Sequence, residues 1–112
     1  MARAALPQPS HVVYGGAHLF RAETPAKLGA LARASFAEHA PDPATLRQAL
    51  GLAWGDERVA ALHARIAARL ATRPIEDLRI DFEDGFGPRP DAEEDEAADR
   101  AAREVARAAS PP

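Results

Sequence analysis

The chain contains no cysteine, which excludes a disulfide framework, a thiolate metal site and a thiol nucleophile. Aromatic residues make up only 5% of it, and no run approaches the roughly 18 apolar residues of a membrane helix. Met1 to Pro9 has one Arg and no apolar core, so it does not read as a signal peptide. These absences point to a cytoplasmic protein without a membrane partner. Large apolar residues are scarce too. Of the 52 residues behind the 46% hydrophobic fraction, 28 are Ala, leaving material for a thin core only. A length of 112 residues allows one domain with a single core.

Charge is unevenly spread. Residues 1–73 carry nine basic and five acidic side chains, while residues 74–112 carry five basic and twelve acidic ones. An acidic C-terminal third argues against nucleic acid, which calls for a basic, phosphate-neutralising surface. Lys27 is the single lysine, which further weakens phosphate-binding readings.

What is present is periodic. His11-Val12-Val13-Tyr14 is β-branched and aromatic and is followed by Gly15-Gly16, predicting a short strand that the glycines close. Thr24-Pro25 reads as a helix cap and first turn, and Leu28, Leu31, Ala32, Ser35 and Phe36 follow at helical spacing. Asp42-Pro43 repeats the cap signal for a short helix that ends near Gly51, and Asp56 is expected to cap a third. In that third helix Val59, Leu62, Ile66 and Leu70 form one apolar stripe. From Asp77 to Glu83 the pattern alternates. Leu78, Ile80 and Phe82 share one face, and Arg79, Asp81 and Glu83 share the other. Asp91 to Ala109 reads as a helix with an acidic start and an inner face of Ala98, Ala101, Ala102 and Val105.

Strand, three helices, strand and helix imply two parallel strands, because a helical crossover joins them. Parallel sheets are normally larger and covered on both faces, and two strands alone leave open edges. The expected fold class is therefore α/β, the first two βα units of a larger barrel, incomplete as given. The expected organisation is a flexible lead over residues 1–10, a partial barrel domain over 11–109 and a tail over 110–112.

The chemistry concentrates in Asp81-Phe82-Glu83-Asp84-Gly85-Phe86-Gly87. Unpaired carboxylates are costly to bury, so such a strand end must meet water, a cation or a metal site. Arg79, on the same face as Asp81, would help keep it ionised. The bland reading is an ordinary half-exposed strand with a solvated polar face. Gly15, Gly16 and His18 close the first strand and would lie at the same mouth if the strands are parallel; a glycine pair there could admit a substrate oxygen to backbone N–H groups. The competing reading is a plain strand-to-helix turn. His11, His39 and His63 share no spacing and read as surface or edge residues. Asp84-Gly85-Phe86-Gly87 does not fit the kinase Asp-Phe-Gly context. Phe86 stands where a calcium loop begun at Asp81 needs its sixth-position glycine.

Val12-Val13-Tyr14-Gly15-Gly16-Ala17-His18-Leu19-Phe20, and Glu76 through Gly87 with Arg89-Pro90-Asp91-Ala92-Glu93-Glu94-Asp95, resemble an uncharacterised aldolase-like group related to the HpcH/HpaI aldolase and citrate lyase family. The resemblance implies a (β/α)8 (TIM) barrel that makes or breaks a carbon–carbon bond through an enolate. Its small-molecule substrate would be of the pyruvate, phosphoenolpyruvate or acyl-CoA type, with Mg²⁺ as the cofactor. Asp81-Phe82-Glu83-Asp84 is similar to the Asp-x-Glu-Asp of citrate-lyase-type members. By that match Asp84 takes part in proton transfer or orients a water, and Asp81 and Glu83 support it. In that family the substrate-binding Arg and the metal-ligating Glu and Asp come from later strands, so no residue of this chain is assigned as a metal ligand. The expected function is thus a fragment of a carbon–carbon lyase, inactive alone. The alternative is a non-catalytic α/β module that completes its sheet against a partner chain.

Overall fold

The computed structural model describes residues 7–109. The expected tail over 110–112 lies outside the described residues, as do residues 1–6 of the expected lead. Six elements follow in order: β1 (Val13–Gly16), α1 (Thr24–His39), α2 (Pro43–Leu50), α3 (Asp56–Thr72), β2 (Leu78–Asp81) and α4 (Asp91–Ala109). The protein is mixed α/β, with four helices and a two-stranded parallel sheet among the described residues. No described helix is long and apolar enough to cross a membrane.

The chain divides into two compact units, Pro25–Pro74 and the flanking segments that end at Thr24 and resume at Ile75. The first of these is helical. Asp42 caps α2 by accepting the Thr45 N–H at 2.8 Å and the Thr45 hydroxyl at 2.9 Å. Those bonds hold its carboxyl below the ordinary carboxylate range. Gly51 ends the helix in the left-handed region at φ 63°. The cap of α3 is Gly55 rather than Asp56; Asp56 instead meets the Arg47 guanidinium at 2.7 Å and ties α3 to α2. The expected apolar stripe of α3 is buried at Val59, 1% exposed, but only half-covered at Leu62, Ile66 and Leu70. His63 is not a surface histidine. Its Nε2 lies 2.8 Å from the Ala40 carbonyl and its ring packs on Phe36, joining α3 to the end of α1. Arg33 reaches the Leu70 carbonyl at 3.1 Å, and Gly29 leaves room for Pro74, whose Cγ would stand 2.6 Å from an added Cβ.

In the other unit β1 and β2 pair in parallel, with Val13 opposite Leu78, Tyr14 opposite Arg79, Gly15 opposite Ile80 and Gly16 opposite Asp81. Parallel partners point to the same side, which sorts the faces. Leu78 and Ile80 are half-buried, and Ile80 packs on the cluster of Ala17, Phe86 and Ala97 that α4 helps to form. Tyr14 and Arg79 are exposed on the opposite face. Two expectations change here. The glycines do not close β1; they are its last two residues and pair with β2. Ser10, expected in a flexible lead, bonds through its N–H and hydroxyl to the Glu76 carboxylate.

The inner face of α4 also differs. Ala97 and Ala101 are buried, whereas Ala98 and Ala102 are exposed and Val105 is 45% exposed. Half-buried Arg100 and Glu104 share the inward side. They satisfy backbone groups after β1: Arg100 donates to the His18 carbonyl at 3.1 Å and Glu104 accepts the Ala22 N–H at 3.4 Å. Partial burial raises the Glu104 pKa, but bonds from Arg107 and the Ala22 amide outweigh it and hold the group below its ordinary value. Polar residues turn inward because this loop presents unpaired backbone groups.

Candidate functional site at the strand ends

Parallel pairing brings the C-terminal ends of both strands to one end of the sheet. Gly16, Ala17 and His18 arrive from β1, and Asp81 through Gly87 arrive from β2. Asp81 organises this end. Its Oδ1 accepts the Glu83 N–H at 2.8 Å and its Oδ2 accepts the Gly85 N–H at 2.7 Å. The chain therefore leaves the strand at Asp81, earlier than the alternation suggests, and turns back over its carboxylate. The Glu83 carbonyl then accepts from Phe86 at 3.1 Å and Gly87 at 2.7 Å, and Gly87 takes φ 78° to complete the turn.

Small residues are required where this turn folds against β1. A Cβ on Gly85 would stand 2.8 Å from the Asp81 Oδ2, and one on Gly16 would run into the Gly85 carbonyl oxygen. Gly16 is buried and Gly15 half-buried. Gly16 thus serves close approach of two backbone segments, and its Cα faces the Gly85 carbonyl. Glu83 and Asp84 ride on the turn with exposed side chains, which make no hydrogen bond or ion pair among the described residues. Asp81, Glu83, Asp84 and the Gly15-Gly16-His18 segment thus share one end of the unit.

Arg79 does not support Asp81. It donates to Asp77 at 3.4 Å and lies against the exposed Tyr14, and the Asp77 bond raises its pKa above the ordinary value. His18 is half-buried, its ring 5.6 Å from that of Phe86, with Nδ1 buried and unpartnered. Beside it a cleft of about 260 Å³ opens between His18, Phe86, Arg89 and the first half of α4. Arg89 lies over the Phe86 ring at 4.4 Å and donates to the Phe86 carbonyl at 3.1 Å. Phe86, Arg89 and Arg100 are not among the site residues that the sequence points to. The aromatic between two glycines was the available signal for Phe86. Nothing in spacing distinguishes Arg100 from the other arginines of α4.

Among the described residues no group of three or more His, Asp or Glu side chains stands close enough to hold a metal ion. The donors gathered at the strand ends therefore do not by themselves fit the Mg²⁺ that the family resemblance implies.

Residues 3–111 match the model of DUF6986, a domain of unknown function, and the chain belongs to that family. No curated protein and no solved structure matches it significantly.

Proposed function

We propose that this chain supplies two βα units to a (β/α)8-type carbon–carbon lyase or aldolase, acting through an enolate on a pyruvate-, phosphoenolpyruvate- or acyl-CoA-type substrate. One observation carries the reading. The parallel sheet gathers Asp81, Glu83 and Asp84 at the C-terminal strand ends, the end at which barrel enzymes react. The exposed Tyr14–Arg79 face and the unpaired outer edges suit a sheet with further strands. In this reading Asp81 holds the turn, and Asp84, solvated and without a hydrogen-bond partner among the described residues, takes a proton from the carbon next to the substrate carbonyl. Glu83 supports it, and the Gly15-Gly16-His18 segment lines the substrate side.

Deuterium incorporation tests this on the natural full-length protein. In D2O with pyruvate, and separately with acetyl-CoA, NMR should show exchange at the carbon next to the carbonyl above the solution rate. Asp84→Asn should slow it by about 100-fold or more. Background exchange with both substrates, or an unchanged Asp84→Asn rate, refutes the reading.

The second reading is a binding module that completes its sheet against a partner chain. Tyr14, 64% exposed beside the exposed Arg79 on one face of the sheet, favours it. A folded chain that runs as a monomer and binds no other protein argues against it.

A further inference from the structure

The cleft beside α4 holds two arginines, Arg89 and Arg100, that the lyase reading leaves unused. Arg100 is half-buried and gives one N–H to the His18 carbonyl at 3.1 Å. No carboxylate lies within ion-pair distance of it among the described residues, and its Nε is buried without an acceptor. A guanidinium drawn out of water without a counter-charge is costly, and proteins normally supply the missing anion. Glu93 and Glu96 also line the cleft but are exposed, and Glu93 leans toward Arg89 at 3.9 Å. Neither makes an ion pair with Arg100. Phe86 forms an apolar wall under both His18 and Arg89.

We propose that this cleft binds a small oxyanion, a carboxylate or phosphate group, through Arg100 with Arg89 and His18 alongside. The planar guanidinium offers several N–H donors in a fixed fork that matches two oxygens of such a group. At about 260 Å³ the cleft has room for a small acid. Glu83 and Asp84 do not line it, so the site shares only His18 with the lyase reading.

The test is NMR titration of the full chain, following the arginine Nε–H signals and the His18 amide. Sodium phosphate is added in one arm and sodium acetate in another, with sodium chloride holding ionic strength constant. A saturable shift at Arg100 in either arm is expected, and the responding arm identifies the kind of oxyanion. Arg100→Gln should weaken binding about tenfold, and His18→Gln should weaken it also if Arg100→Gln fails to fold. Shifts that follow ionic strength alone overturn the proposal. So does a folded Arg100→Gln variant, or failing that His18→Gln, that titrates like the parent. No turnover is read, so a failed lyase assay leaves this result standing.

Discussion

The Asp81 carboxylate reaches across the strand end to the Gly85 N–H at 2.7 Å, and an added Cβ on Gly85 would stand 2.8 Å from that same oxygen. The acid and the glycine therefore specify each other. Asp81→Ala removes the acceptor for two backbone N–H groups, and we expect a loss of about 1–2 kcal/mol. Hydrogen exchange should speed up at Glu83 and Gly85 while the amides of α4 keep their protection. Uniform acceleration through the whole unit would mean that Asp81 does not act locally.

A glycine series should rank by what the new methyl group meets. Gly16→Ala meets backbone, the Gly85 carbonyl oxygen, and should cost about 1–3 kcal/mol. Gly51→Ala meets no atom but must hold φ 63°, for a cost of about 1 kcal/mol. Gly55→Ala meets nothing and has no left-handed backbone, so it should be near neutral. Urea unfolding checks the order, and a Gly55→Ala cost equal to that of Gly16→Ala would contradict it.

Val59, at 1% exposure, is the large side chain most deeply buried in the helical unit. Its truncation to Ala should cost about 2 kcal/mol. Leu31, 61% exposed, should tolerate the same truncation with little change. Thermal melts of the two variants distinguish burial from mere apolar character.

Asp42 gives a pH dependence of known sign. Hydrogen bonds from the Thr45 N–H and hydroxyl lower its folded pKa below the unfolded one. The cap's contribution is therefore present above the unfolded value and is lost as pH falls through the folded value. Asp42→Asn keeps an acceptor but cannot titrate, so its acid-side stability curve should be flatter than the parent's. NMR titration of the Thr45 amide reads the event directly, and a midpoint at or above the ordinary Asp value would reverse the sign.

Local rules reach far in this chain. Asp42-Pro43 and Gly51 fix the ends of α2 because caps depend on residues a few positions apart. The alternation from Leu78 to Asp81 fixes a strand, and the helical crossover fixes its parallel pairing with β1. Gathering Asp81, Glu83 and Asp84 at one end with Gly16 and His18 follows from those two facts. The tertiary structure decided what depends on groups distant in sequence. Gly15-Gly16 extends β1 because β2 offers backbone partners there, and strand termination is a property of the pair. The strand ends at Asp81 because its carboxylate captures two N–H groups that the alternation assigned to a longer strand. Arg100 and Glu104 turn inward because unpaired backbone groups more than eighty positions away need partners. An apolar pattern cannot encode that need, since a buried polar residue is justified only by the group it meets.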